Sequence, residues 1–175
     1  MSSETKATVE SAPSIAPEQG FQTDGGANST EFISFAIGDE QYGVAIMAVR
    51  EIKGWSTITV LPNQPDYMRG VLNLRGVMVP IIDLRCRFSQ GLTEATPMHI
   101  VIVVQVANKT IGLLADRVLD IVSVDTAQIQ PVPHVSRLGQ GNFLAGLVTV
   151  QDGMIALLDL DRLLEQSETE AIEAA

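Results

Sequence analysis

The residues able to do covalent or metal chemistry are few and scattered. The chain has two histidines, His99 and His134, and one cysteine, Cys86. His99 heads an apolar run and His134 sits in a Pro-rich loop. Neither has a second His, Cys or carboxylate at ligand spacing, so no metal centre is expected. Cys86 lies between Arg85 and Arg87, and neighbouring cations lower a thiol pKa. Alternation on a short helix, however, buries Cys86 and points both arginines outward, and this inert reading is preferred. Asp83 and Asp159 look like a carboxylate pair until an internal repeat, described below, makes them equivalent helix caps. Gly70 and Gly76 flank Val71 to Arg75 without the Lys-Ser/Thr of a phosphate loop, so they read as bulge and turn glycines. Arg69, Arg75, Arg85 and Arg87 suit a phosphate, but on a nearly neutral domain they are expected to meet carboxylates. No catalytic constellation emerges, and no cofactor is implied.

Charge and composition narrow the classes further. The 175 residues carry 11 Lys plus Arg against 21 Asp plus Glu, a net charge of −10. Nucleic acid and anionic lipid surfaces are bound through clustered Lys and Arg, so neither is an expected partner. The acidity is concentrated at the ends. Residues 1–30, rich in Ser, Thr, Ala, Gly and Pro, carry −3 and read as a disordered tail. Residues 165–175 add Glu165, Glu168, Glu170 and Glu173 for −4, which leaves only −3 over residues 31–164. A single cysteine excludes an internal disulfide framework. The start of the chain lacks the apolar run of a secretory signal, and Ile100 to Val104 is too short to cross a bilayer. A soluble, cytoplasmic protein is expected.

The elements that would position any site are β-strands, and their pattern occurs twice. A shift of 69 residues places Ile33, Phe35 and Ile37 on Ile102, Val104 and Val106. It also carries Gly38-Asp39-Glu40-Gln41 onto Ala107-Asn108-Lys109-Thr110, Gly43 onto Gly112, Val49 onto Val118, Ile52 onto Ile121 and Pro62 onto Pro131. A shift of 76 then matches Gly70 to Gly146, Met78 to Met154, Asp83 to Asp159 and Leu84 to Leu160. Each copy, residues 30–88 and 99–164, reads as five short strands. A polar hairpin comes first. A brief turn follows, at Met47 to Val49 or Asp116 to Val118, and then a third strand. The second hairpin is closed by Arg75-Gly76 or by Asp152-Gly153. Asp83 or Asp159 then caps a helix, stunted at Leu84 to Phe88 in the first copy. In the second it runs on from Leu160, with Leu163 and Leu164 on the same face. Five short strands suit a small closed barrel, because closure removes exposed edges. The fold class is therefore all-β: two tandem five-stranded barrels related by the repeat, side by side, with a short C-terminal helix. Two joined barrels create a groove suited to peptides or helices. Trp55, the only Trp, reads equally as an interface anchor or a core filler.

The run from Val60 to Arg85, VLPNQPDYMRGVLNLRGVMVPIIDLR, resembles the signature of the CheW family of bacterial chemotaxis coupling proteins. So do Val49-Arg50-Glu51-Ile52, the stretch from Gly112 to Val118, and that from Gly153 to Leu160. The resemblance covers residues 31–164 and implies two tandem five-stranded SH3-like β-barrels with a C-terminal helix, acting as a noncatalytic adaptor. Such proteins bridge the cytoplasmic tips of methyl-accepting chemoreceptors to the regulatory domain of the histidine kinase CheA, within a membrane-associated array. Carried over by position, it implies that Glu51 and Arg75 form a pair of opposite charges near the inter-barrel groove. Asn73 and Arg75 would contact a receptor helix, and Val49, Ile52, Gly70 and Val71 would line the groove. The resemblance leaves the kinase-binding residues unassigned. The long N-terminal tail and the loop Pro131 to Asn142, with Gly139 and Gly141, leave open a parallel, non-flagellar chemosensory pathway. A small-ligand-binding β-barrel is the remaining alternative. Only eleven residues follow Leu164, too few for a receiver domain.

Overall fold

The apolar runs that the repeat superposes become the first strand of each copy. The computed structural model describes residues 28–133 and 143–173. Most of the acidic N-terminal tail, together with His134, Gly139 and Gly141, lies outside the described residues. The first copy forms β1 (Ser29–Ile37), β2 (Glu40–Ala45), β3 (Val49–Gly54), β4 (Met68–Leu74), β5 (Val77–Asp83) and α1 (Leu84–Arg87). The second forms β6 (Ile100–Val106), β7 (Lys109–Ala115), β8 (Arg117–Asp125), β9 (Leu144–Val150), β10 (Gly153–Leu158) and α2 (Leu160–Glu173). β1 thus begins inside the stretch read as tail, because Ser29 and Thr30 pair with Asp125 and Val124. The second hairpin of the second copy turns through Gln151-Asp152 rather than Asp152-Gly153. Val150 pairs directly with Gly153, which takes φ +135° as the first residue of β10.

Two five-stranded sheets result, ordered β8-β1-β2-β10-β9 and β3-β6-β7-β5-β4. Neither is built from one copy. The first barrel takes its β1-β2 hairpin from the first copy and β8, β9 and β10 from the second; the other barrel is the reciprocal arrangement. In the first copy the turn Ile46–Ala48 carries the chain across, and in the second the link after the first hairpin forces the exchange. Reversing a strand takes a loop of at least two residues, and only Asp116 separates β7 from β8. The chain therefore runs on into the neighbouring barrel. The exchange is sealed by two parallel pairings, β10 on β2 and β5 on β7.

Exchange buries both faces of the leading strands. Phe32 on β1 joins Val148, Ile155 and Leu157 inside the first barrel, and Val101 and Val103 on β6 join Leu72, Val79 and Ile81 inside the second. The alternate residues Ile33, Phe35, Ile37, Ile102, Val104 and Val106 point the other way, into one core shared between the barrels. That core holds more than a dozen buried side chains. At about 2 kcal/mol for each large buried side chain, parting the barrels would exceed the roughly 5–15 kcal/mol net stability of a domain.

Each barrel closes through the segment that follows its third strand. Thr59 exchanges backbone hydrogen bonds with Val71 at 2.9 and 2.8 Å, and Gln130 does the same with Leu147 at 2.8 and 2.9 Å. The matched glycines stand at these seams. A Cβ on Gly70 would lie 2.2 Å from the Thr59 carbonyl oxygen, and one on Gly146 would lie 2.5 Å from Ile129 Cγ2.

The crossover residue Asp116 ties the barrels together. Its carboxylate accepts hydrogen bonds from the Gly38 N–H in the first barrel at 2.7 Å and from Arg85 on α1 at 2.6 Å. His99 receives the Thr96 N–H on Nδ1 at 3.1 Å, which leaves its ring proton on Nε2, 3.5 Å from the other Asp116 oxygen. At that distance the contact is electrostatic rather than a hydrogen bond. Burial alone would raise the Asp116 pKa. The Gly38 and Arg85 hydrogen bonds, the Arg85 charge and the His99 ring proton facing it outweigh it, and the carboxyl is held below its ordinary value.

Two measurements check this account. Gly70→Ala, with φ +137° and a backbone clash, should destabilise by about 2–4 kcal/mol in urea titrations. Gly76→Ala, at φ +85° with nothing within 4 Å, should cost only about 1 kcal/mol. Asp116 has its folded pKa depressed, so its stabilisation is present above the unfolded carboxyl value and is lost as the pH falls through the lower folded value. Asp116→Asn should therefore be less stable near neutral pH by about 1–3 kcal/mol and show a flatter stability profile on acidification. An unchanged acid limb would refute this linkage.

Candidate interaction surface

β3 and β4 are the two ends of the second sheet, and the seam at Thr59 and Val71 draws them together. Across it, Glu51 on β3 reaches Arg75 in the β4-β5 turn, Oε2 to Nη2 at 2.7 Å. Arg75 and Gly76 both take positive φ, +52° and +85°, as a two-residue hairpin demands. Asn73 holds the turn by accepting the Gly76 N–H at 2.9 Å. The Arg75 side chain is 77% exposed and Glu51 26%. An ion pair so open to water contributes about 0–1 kcal/mol to stability. Its effect is to hold a charged, oriented pair at the surface.

The remaining residues expected at this site divide by burial. Ile52 is open to solvent, while Val49 packs against the shared core. Val71 is half-buried at the seam, and Gly70 is fully enclosed there. Glu51, Asn73 and Arg75 thus form one polar cluster. Gly70 serves closure and presents no side chain. The expected set lacks Val77 and Met78, 55% and 56% exposed, although Met78 faces Asn73 across the hairpin. Strand alternation contained the signal: Val79 points into the barrel, so Met78 must point out.

The four arginines all meet carboxylates: Arg69 with Asp83 at 3.0 Å, Arg75 with Glu51, Arg85 with Asp116, and Arg87 with Glu170 at 3.2 Å. Asp83, completely buried, also accepts from both Thr93 donors and caps α1 through the Cys86 N–H. Asp159 caps α2 through the Arg162 N–H at 3.1 Å. The outward orientation expected for both flanking arginines fails: Arg85 turns onto the Asp116 carboxylate with its side chain 26% exposed, and the departure is larger at Arg87. Its guanidinium lies 4.3 Å from the ring centroids of both Tyr67 and Phe143, with its side chain 9% exposed. Stacking between two rings with a carboxylate at the edge suits a planar cation. Cys86 is only half-buried, and burial followed by the Asp83 and Asp66 charges pushes its thiol up, against Arg69 and Arg87. Burial and the nearby Glu170 carboxylate push Tyr67 up to about 12. Trp55 packs against the second barrel's interior with Arg69 over its ring at 5.8 Å.

Among the described residues, no three His, Cys, Asp or Glu side chains are grouped to hold a metal ion. No helix among them is long and apolar enough to cross a membrane. The arrangement is a surface for recognition, with oriented charges beside exposed aliphatic groups.

Comparison with known proteins agrees with this geometry. The family described as CheW-like domain matches residues 31–168. A probable chemotaxis protein CheW of Rhizobium etli is 44% identical over 81% of this chain and 91% of its own. The chemotaxis protein CheW of Rhizobium meliloti is 41% identical over 85% and 94%. The crystal structure of the scaffolding protein TtCheW from Thermoanaerobacter tengcongensis superposes with a TM-score of 0.69 at 30% identity, covering 75% of this chain and 84% of that one. With the double barrel and the family match in agreement, the chain belongs to the CheW family, and its role is that of a chemotaxis scaffold.

Proposed function

We propose that this chain is a noncatalytic adaptor coupling the cytoplasmic tips of methyl-accepting chemoreceptors to the regulatory domain of the histidine kinase CheA. The coupling unit is residues 31–164. It works in the cytoplasm, at the membrane-associated array to which its partners hold it. The observation that carries the reading is the Glu51–Arg75 pair at the surface beside Asn73, with Val71 and Met78 on the same hairpin and Ile52 exposed on the other face of β3. A receptor helix presents an apolar stripe with polar residues at its margins, and helix-in-groove recognition uses aliphatic contacts for affinity and placed charges for register. Val49 supports the surface from beneath, and Gly70 lets the seam approach closely enough to bring Glu51 to Arg75.

Because the pair contributes little to folding, a charge reversal separates binding from stability. Arg75→Glu should weaken capture by a receptor signalling domain about tenfold, while the melting temperature moves by only a few degrees. Unchanged capture removes Arg75 from the receptor surface. The adaptor reading as a whole is tested by CheA autophosphorylation reconstituted with receptor fragments. The chain should raise kinase activity and bring it under receptor control; activity indifferent to its addition refutes the proposal.

A further inference from the structure

The repeat sets two clefts in equivalent places, and only one of them is covered by a helix. On the second barrel, α2 lies over the outer face of the parallel pair β5 and β7. There a cleft of about 310 Å³ is lined by Met68, Pro80 and Ile111 beneath Leu164 and Ser167. The helix is held by the Tyr67 hydroxyl donating to the Ser167 carbonyl at 3.4 Å and by an ion pair between Lys109 and Glu168. On the first barrel, the outer face of the parallel pair β10 and β2 carries a cleft of about 350 Å³. Its floor is the repeat image of the other: Leu144 for Met68, Ala156 for Pro80 and Tyr42 for Ile111. The helix that should lie over it stops short. α1 ends at Arg87, Phe88 takes the place of Leu164, and the chain leaves the helical path at Ser89 with φ +59°, after which Gln90 reaches back, its Nε2 donating to Glu40 at 2.8 Å and to the Tyr42 hydroxyl at 3.4 Å. Met154 stands 51% exposed at the edge of this cleft, as its repeat image Met78 does on the other barrel at 56%.

The charges of the two seats are opposite. Glu40 occupies the position of Lys109, and Asp39 and Asp152 complete an acidic rim with no Lys or Arg among the lining residues. We infer that the first barrel carries a second helix-docking seat, whose occupant is a basic amphipathic helix of another protein. That helix would lay an apolar stripe on Leu144, Leu147 and Ala156 as α2 does on the second barrel, with Lys or Arg where α2 carries Glu168. The C-terminal helix of a second copy carries Glu165, Glu168, Glu170 and Glu173, and residues 1–30 carry −3; the acidic rim disfavours both. The seat belongs to the opposite barrel from the Glu51–Arg75 pair and does not depend on the receptor reading.

The test uses the full chain and two synthetic peptides spanning residues 160–175. In one, Glu165, Glu168, Glu170 and Glu173 are replaced by lysine; the other is unaltered. Fluorescence anisotropy should show saturable binding of the lysine peptide only, with amide shift changes centred on β2, β9 and β10. Glu40→Lys should weaken that binding about tenfold and admit the unaltered peptide. Met154→Lys, at a half-exposed position that folding tolerates, should weaken the lysine peptide as well. No saturable binding, equal binding of both peptides, shift changes centred on the second barrel, or binding indifferent to both substitutions would each overturn the inference.

Discussion

The burial of β1 and β6 on both faces is the constraint on which the rest of this molecule depends. Each strand contributes one set of side chains to the interior of its own barrel and the alternate set to the core between barrels. A strand can be apolar on both faces only if both are covered. Here the cover on the second face is the other barrel. The reciprocal exchange of strands makes that cover permanent, because each barrel contains strands of both copies. A stable inter-barrel boundary then provides a rigid frame from which surface residues such as Glu51 and Arg75 project.

Charge is sorted by depth in the same frame. Asp83 and Asp116 sit in buried or half-buried networks: Asp83 accepts from Arg69 and Thr93, and one Asp116 oxygen accepts from Arg85 and the Gly38 N–H while the other has only the electrostatic contact with His99. They hold the barrel ends and the crossover together, since a buried carboxylate left unpaired would be costly. Glu51 and Arg75 are held in water, where pairing orients the groups without binding them tightly. The acidic C-terminal helix joins both regimes: Glu170 meets the buried Arg87, and Glu168 meets the exposed Lys109. The net charge of −10 is therefore a poor guide to the recognition surfaces, which depend on a few placed groups.

Much of this was legible because repeats and turns are local. The Arg75-Gly76 hairpin, the caps at Asp83 and Asp159, the extension of α2 beyond Leu164 and the structural use of Gly70 all follow from residue type and short-range spacing. The Arg75 partner was accessible through family resemblance. Three features were not legible. Arg87 was expected to face water, yet it stacks between Tyr67 and Phe143, residues far from it in the chain. The second hairpin sits one residue earlier than the Asp-Gly pair suggests, because ladder register decides which residue takes the positive φ. Met78 escaped notice as part of the recognition surface because its exposure follows from which face of β5 lines the barrel.

By itself, the sequence determined that the chain folds as ten short strands in two related halves, with helices capped by Asp83 and Asp159. These are properties of periodicity, turn chemistry and composition, each confined to a few neighbouring residues. Only the tertiary structure decided which strands share a barrel. Copies with the same pattern can close on themselves or exchange, and local propensity is nearly blind to that choice. The deciding elements were the single-residue link at Asp116, too short to reverse a strand, and the two apolar faces of β1 and β6, which only an interleaved pair of barrels could cover.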